Sequence, residues 1–414
     1  MLNLHDAFFL PDAENAVELR AFTHGLMPRT VPAMMQHFVE DWQRYGVDAW
    51  NEVPNHWRPE DATPVGWWTL PDYLGDAFIA PLLGASPGTC ILQPNVHWTM
   101  QCLLSDPALF ANRKEVVLTE AEFPSVLHSV RQWADLQDYT ARLVPLGADG
   151  FVDQAAVLDA ITDQTALVLL SHVGFTTGEK LPDSFLQEVA NRVHRHGGLF
   201  ALDGYHATAS IPVEVTAYEV DVYFGGLLKE ACGSSGNAYV YMHPGLDLRP
   251  RTTGWFGDAN PFAFNTAPQP HPDVRRRFLS GTSAVASMYH AVEGVRILLD
   301  AGLETVRAHS LDLTGYCIER AQAAGLALKS PVPTNRRGAM VILEAPAADR
   351  LCAYLKQHHI YTDSRKGRYL RLAPFVWNTR AELKRAFDVI EQTLQDGSYR
   401  NVASADLETA GPVT

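Results

Sequence analysis

Cysteine is scarce and scattered in this chain of 414 residues: Cys90, Cys102, Cys232, Cys317 and Cys352, with no Cys-x-x-Cys pair. An odd number so spaced offers neither a disulfide framework nor a structural zinc site, and it suits a reducing compartment. Charge is also sparse, at 19%, and basic charge is outweighed: 33 Lys+Arg against 47 Asp+Glu leave −14. Nucleic acids and anionic membranes select basic surfaces, so neither is an expected partner. No apolar run approaches the roughly 18 residues of a membrane-spanning helix. The longest, such as Ala166–Leu170, has the length of a buried strand. The first residues, MLNLHDAFFLPDAENAVELR, place Asp6, Asp12 and Glu14 among apolar neighbours. They lack the basic-then-apolar order of a secretory signal, so a cytoplasmic protein is expected. No metal is expected either. There is no His-Glu-x-x-His spacing, and the adjacent His358 and His359 cannot converge on one helix face.

What is present is an ordinary apolar fraction, 47%, arranged in alternating short and long segments. Thr89–Leu92, Glu115–Thr119, Ala166–Ser171, Leu199–Asp203, Val220–Phe224 and Ala238–Tyr241 have the length and composition of strands. Between them, Val96–Leu104, Pro124–Asp135, Gln154–Ala160 and Ser184–His196 have helical periodicity. Strands alternating with helices predict right-handed crossovers and a mostly parallel sheet, an α/β fold. Farther on, a long helical pattern over Ala284–Ala301 precedes helix 303–324, strand-like Ala339–Glu344, helix 347–358 and helix 379–396. This last third reads as a smaller α+β unit. The polar residues 401–414 read as a disordered tail.

Ligands of parallel sheets sit at the carboxyl ends of strands, so the residues just after each apolar run come first. In LDGYH a buried-type strand ends at Asp203, with His206 in the turn. The next strand leads through Gly225-Gly226-Leu227-Leu228 to Lys229, the only cation of a long apolar, glycine-rich stretch. Desolvation lowers the pKa of such a lysine and frees its amine, as a Schiff base with an aldehyde cofactor requires. A carboxylate on the neighbouring strand end is suited to a protonated pyridine nitrogen. Taken singly, Lys229 also fits a side chain snorkelling from a strand end, and Asp203 a helix cap. Together, at two strand ends, they favour the cofactor reading.

LDGYH, the Lys229 segment, TGWFGDANPFAF and RYLRLAP together resemble kynureninases and their relatives, fold-type I pyridoxal-phosphate enzymes of the aminotransferase class V group. The resemblance runs over about residues 20 to 395. It implies the fold-type I transferase fold: a large domain with a mostly parallel sheet and a smaller α+β C-terminal domain. The divisions expected are an N-terminal arm and small-domain part over 1–60, a large cofactor domain over 61–300 and a small domain over 301–400. It implies pyridoxal 5′-phosphate as cofactor, Schiff-linked to Lys229, with Asp203 on the pyridine nitrogen and His206 beside the ring edge or phosphate. Phe123, in EAEFPSVLHSV, would stack on the ring, although a core phenylalanine reads the same way. Leu92 and Gln93, in ILQPNVHWTM, would meet the phosphate, with the helix beginning near Asn95 offering free N–H groups. Ser171 would bond the ring hydroxyl or, more simply, cap a turn. Trp255 would reach phosphate through its indole N–H. Thr282, in FLSGTS, would reach the phosphate of a partner subunit, which implies a homodimer. Arg371, in DSRKGRYLRLAP, would clamp a substrate α-carboxylate, although a solvated surface arginine reads alike.

Three positions depart from the family pattern. Leu228 replaces the tyrosine that usually precedes the lysine, Val126 replaces an acidic residue, and His24-Gly25-Leu26-Met27 replaces Asn-Ser-Leu-Gly. The expected activity is on an amino acid, with kynureninase-like cleavage of its side chain at the β-carbon (a C–C hydrolase or β-lyase). A class V aminotransferase or epimerase is the alternative. A binding protein on a degenerate enzyme fold is disfavoured because Lys229, Asp203, His206 and Arg371 are all kept. No cysteine lies where a desulfurase would need one.

Overall fold

The computed structural model describes residues 2–11 and 15–403. Among these, the strands are β1 (Val17–Glu18), β2 (Cys90–Gln93), β3 (Glu115–Thr119), β4 (Thr140–Val144), β5 (Thr165–Ser171), β6 (Leu199–Asp203), β7 (Val222–Gly226), β8 (Ala238–Met242), β9 (Val341–Glu344), β10 (Ile360–Tyr361), β11 (Asp363–Arg365) and β12 (Tyr369–Leu372). A seven-stranded sheet has the order β2-β8-β7-β6-β5-β3-β4. Only β8 runs against its neighbours. The other pairings are parallel.

β6, β7 and β8 read as near-continuous apolar runs because both faces of the sheet are covered. Alternate side chains of β5 supply two different cores. Val168 and Leu170 face one cluster with Leu202 and Tyr223, while Leu167 and Leu169 face another with Ala201 and Phe224. Each buried leucine contributes about 1.5–3 kcal/mol. The helix Asp183–Arg195 covers one face with Phe185, Leu186, Val189, Ala190 and Val193, all buried.

A second unit forms from both chain ends. β9, β11 and β12 make an antiparallel sheet, and β1 pairs with β10 in parallel, Val17 beside Ile360. Val17 and Leu19 join a third core with residues of the helices Leu303–Ala323, Ala348–Gln357 and Arg380–Asp396. The last of these helices begins with a capping box between Thr379 and Glu382.

Several boundaries differ from the sequence reading. The strand expected at 220–224 is Val222–Gly226, because Gly225 and Gly226 pair with Tyr239 and Ala238 instead of ending it. A Cβ on Gly225 would lie 2.6 Å from the Tyr239 hydroxyl, so glycine serves close packing here. The helix expected over 284–301 breaks at Val292 into Val285–Ala291 and Glu293–Ala301, where Gly294 packs against the Ala231 carbonyl. The helix Val31–Tyr45 and strand β4 were not anticipated. The tail expected from 401 starts too early: Asn401 ends a 3₁₀ turn and Val402 is buried. Residues 404–414 lie outside the described residues. Among the described residues no helix is long and apolar enough to cross a membrane. The five cysteines are free thiols.

Candidate active site

In the sheet, β3 is followed outward by β4, whereas β5, β6 and β7 are added in the other direction. The order therefore reverses between β3 and β5, the place where open α/β sheets form a crevice. A cavity of about 410 Å³ lies there. It brings together Phe123, Ser171, Asp203, His206, Lys229 and Arg371, residues up to 248 positions apart in sequence.

Asp203 ends β6 and is 5% exposed. Its Oδ1 accepts the Tyr205 amide at 2.8 Å. Burial pushes its carboxyl up to about 6, against the Tyr205 N–H and the Lys229 charge. Lys229 follows β7 by three residues, and its Nζ lies 2.8 Å from His206 Nε2. It also sits over the rings of Tyr205 and Phe22, at 4.9 and 5.4 Å. Burial lowers its pKa, and the Arg371 and Arg365 guanidiniums add to the effect, against Glu230 and Asp203. His206 stacks on Phe22 at 4.0 Å, and burial, then Lys229 and Arg371, keep its ring neutral. A neutral ring can accept a hydrogen bond from the amine.

Arg371 is placed by register. It lies opposite Asp363 across the β11–β12 pair, and its Nε and Nη2 meet the two carboxylate oxygens. Nη2 also donates to Thr23 at 3.1 Å. The guanidinium is therefore fixed before any ligand arrives. Arg365, from the same strand pair, lines the cavity as well and is half-buried. Among the described residues its Nη1 is hydrogen-bonded to the Ser364 carbonyl at 2.8 Å and lies 3.5 Å from Asp363 Oδ2.

Two helices begin at the cavity wall. Asn95 caps Val96–Leu104 by accepting the Trp98 amide at 2.8 Å, and Asn95, Val96 and His97 line the cavity. Phe123, Ser125 and Val126 do so at the start of Pro124–Gln137. Free amides at helix starts suit an anion such as a phosphate.

Four expected contacts are not in the cavity. Leu92 and Gln93 are buried within β2. The strand runs on through Gln93, so the turn toward the helix is made by Pro94 and Asn95, and the residues that line the cavity here are 95–97. The Gln93 carboxamide has no hydrogen-bond partner among the described residues. Trp255 is 42% exposed and donates its indole N–H to the Pro261 carbonyl. Thr282 is exposed. Neither reaches the cavity of its own chain.

Sequence reasoning also missed several lining residues. Tyr205 lies between Asp203 and His206, so its place in LDGYH was a usable signal. Its ring packs on Gly226, where a Cβ would come within 2.3 Å. Thr23, Phe175 and Arg365 had no local signal, since only the tertiary fold brings them in. Leu228 lines the cavity and leaves it without a hydroxyl at that point. The segment His24–Met27 meets the lysine turn through Gly25, whose amide donates to the Leu228 carbonyl at 3.0 Å.

The lining thus pairs a desolvated amine with a buried carboxyl, an exposed aromatic face, helix amides for an anion and guanidiniums for a carboxylate. These residues fit pyridoxal phosphate. The aminotransferase class-V family model matches residues 99–367. A kynureninase of Geobacillus thermodenitrificans is 25% identical, covering 97% of this chain and 93% of its own. One of Burkholderia pseudomallei is 28% identical over 89% and 86%. An uncharacterized aminotransferase of Bacillus subtilis, YcbU, is 29% identical over 75% and 80%. Among solved structures, a cysteine desulfurase of Thermococcus onnurineus superposes with a TM-score of 0.72 at 17% identity, over 92% of this chain and 95% of that one. A cystine C-S lyase solved with cysteine persulfide gives 0.76 at 19%, over 91% and 97%. At these identities the solved structures show the shared fold.

Proposed function

The chain belongs to the aminotransferase class-V family, and from that membership we propose that it binds pyridoxal 5′-phosphate at Lys229 and acts on an amino acid, cleaving its side chain at the β-carbon as kynureninases do. The observation that carries this reading is the shared cavity of Lys229, Asp203 and Arg371 at the sheet's reversal point. When bound, the cofactor supplies an electrophilic carbonyl and a cationic ring that withdraws electrons from the substrate.

The protein's own groups then have distinct tasks. The Asp203 carboxylate holds the ring N–H and keeps the ring charged. Phe123, 41% exposed and lining the cavity, covers one ring face. The amides of residues 96 and 97 hold the phosphate. Arg371, braced by Asp363, grips the substrate α-carboxylate, and Arg365 offers further donors. The Lys229 amine, with its lowered pKa, is free to add to a carbonyl and to move the α-proton. Cleavage at the β-carbon also requires a proton there. With Leu228 lacking a hydroxyl, that proton must come from another group of the cavity wall, among them Lys229, His206 and Tyr205.

A homodimer is part of this reading, with Trp255 and Thr282 turned to the partner's cavity, and so is a cytoplasmic location. Product analysis of the loaded protein with kynurenine and hydroxykynurenine tests the reaction. Alanine with an aromatic acid is expected. A keto acid formed in step with a converted cofactor, and no alanine, would point to the aminotransferase alternative that the YcbU similarity favours.

A further inference from the structure

The carboxyl edge of the sheet holds a second buried acid that the reading above leaves unused. Glu122 lies three residues beyond the end of β3 and is 2% exposed. Among the described residues no cation pairs with it. Instead each of its oxygens meets a hydroxyl: Oε1 accepts from Thr119 at 2.7 Å, and Oε2 contacts Ser171 Oγ at 2.5 Å. Ser171 ends β5 in register with Asp203 at the end of β6. A carboxyl, a hydroxyl and a second carboxyl therefore follow one another across β3, β5 and β6, and Ser171 and Asp203 both face the cavity.

A carboxyl buried without a cation favours its neutral form. Burial pushes Glu122 up to about 8, against the two hydroxyls and with the Asp203 charge. The groups acting on it are thus Thr119 of β3, Ser171 of β5 and Asp203 of β6. The hydrogen bonds then fix where its proton sits. Thr119 Oγ1 accepts the Ala121 amide at 3.2 Å and gives its own hydrogen to Oε1. To a carboxylate the Ser171 hydroxyl donates at Oε2; in the neutral acid the proton falls to Oε2, which then donates to Ser171 Oγ. Ser171 has a single hydrogen, and this arrangement turns it away from Glu122. Ionising Glu122 draws that hydrogen back.

We propose that Glu122 is a positioning residue: as a neutral acid it donates to Ser171 and makes the Ser171 hydroxyl a donor to an oxygen anion bound in the cavity. On the functional reading above, on which this rests, that anion is the ring oxygen of pyridoxal phosphate. The site's second acid then comes from position 122, where the resemblance had placed one at Val126.

Two measurements test this. The first is infrared spectroscopy of the protein without cofactor. Wild type should show carboxylic-acid C=O absorption near neutral pH that alkaline buffer removes, and Glu122→Gln should lose part of it, the remainder belonging to Glu230. The second is a pH titration of the visible band after loading with pyridoxal phosphate. Wild type should show a step on the alkaline side of neutrality, because burial raises the Glu122 carboxyl. Glu122→Gln should lose the step and keep the neutral-pH spectrum, because its amide can still donate to Ser171. Ser171→Ala should show the alkaline-type spectrum throughout. An infrared band unchanged in Glu122→Gln, or a step that persists in it, overturns the proposal. A protein that shows the band but takes up no pyridoxal phosphate overturns the functional reading and the role of Ser171, while leaving Glu122 neutral.

Discussion

Asp203 and Glu230 are both buried acids next to Lys229, and they are expected to behave differently. Asp203 faces the cavity with one oxygen bonded to the Tyr205 amide, so it is available to a cationic ring. Asp203→Asn should keep pyridoxal phosphate bound, as judged by its absorbance, while turnover falls by about 10²-fold or more, the scale of a lost preorganised electrostatic partner. Retained turnover would remove Asp203 from that role. Glu230 lies behind the lysine, 1% exposed, and neither carboxyl oxygen has a hydrogen-bond partner among the described residues. Burial raises its pKa, against Lys229 and Arg371. A folded-state pKa above the unfolded value of 4.5 means that Glu230 favours the fold at low pH and loses that contribution as pH rises through its folded pKa. Glu230→Gln removes the loss, so its urea midpoint should pull ahead of wild type between mildly acidic and alkaline pH. A difference that does not vary with pH would show that Glu230 is not carried as the neutral acid.

At the scale of elements, the site depends on how the N-terminal segment meets the lysine turn. A Cβ on Gly25 would lie 2.0 Å from the Lys229 carbonyl oxygen and 2.7 Å from Cys232 Sγ. Backbone cannot yield as a side-chain tip does, so Gly25→Ala must push residues 24–27 off the turn and lengthen the Gly25–Leu228 hydrogen bond. Destabilisation of about 1–3 kcal/mol is expected in denaturant unfolding, as for other overpacked sites. Weaker uptake of pyridoxal phosphate should accompany it. Unchanged stability and uptake would show that the two segments are not tightly joined. The same contact sets His24–Met27 apart from the family's Asn-Ser-Leu-Gly, which has a serine second and its glycine fourth: in this chain the second position has no room for a side chain.

At the scale of the whole molecule, the loop from Trp255 to Phe264 exposes three aromatic rings, at 42% for Trp255, 63% for Phe262 and 74% for Phe264. Phe264 also adopts a left-handed backbone, φ +50°, which is costly for a bulky residue. An exposed apolar cluster of this kind marks a contact surface. Light scattering should give twice the chain mass for wild type, and the double variant Phe262→Asp/Phe264→Asp should shift it toward one chain. A wild type that is monomeric and fully active would remove the dimer from the reading. The parallel strands and most helices were legible in the sequence because burial on both sheet faces leaves unbroken apolar runs and amphipathic helices leave a periodic stripe. Asp203 and Lys229 were legible because each ends such a run. Leu92 and Gln93 were misplaced because a strand's last residue depends on its pairing, here with β8, and periodicity does not see the partner. The strand Thr140–Val144, with an exposed or half-buried residue at most positions, left too weak a pattern. By itself, then, the sequence determined the alternation of elements and the chemistry available at strand ends, since both follow from local composition. Only the tertiary structure decided that Thr23, Glu122, Phe175 and Arg365 stand at or against the same cavity, because packing distant segments together, and not any local preference, sets those contacts.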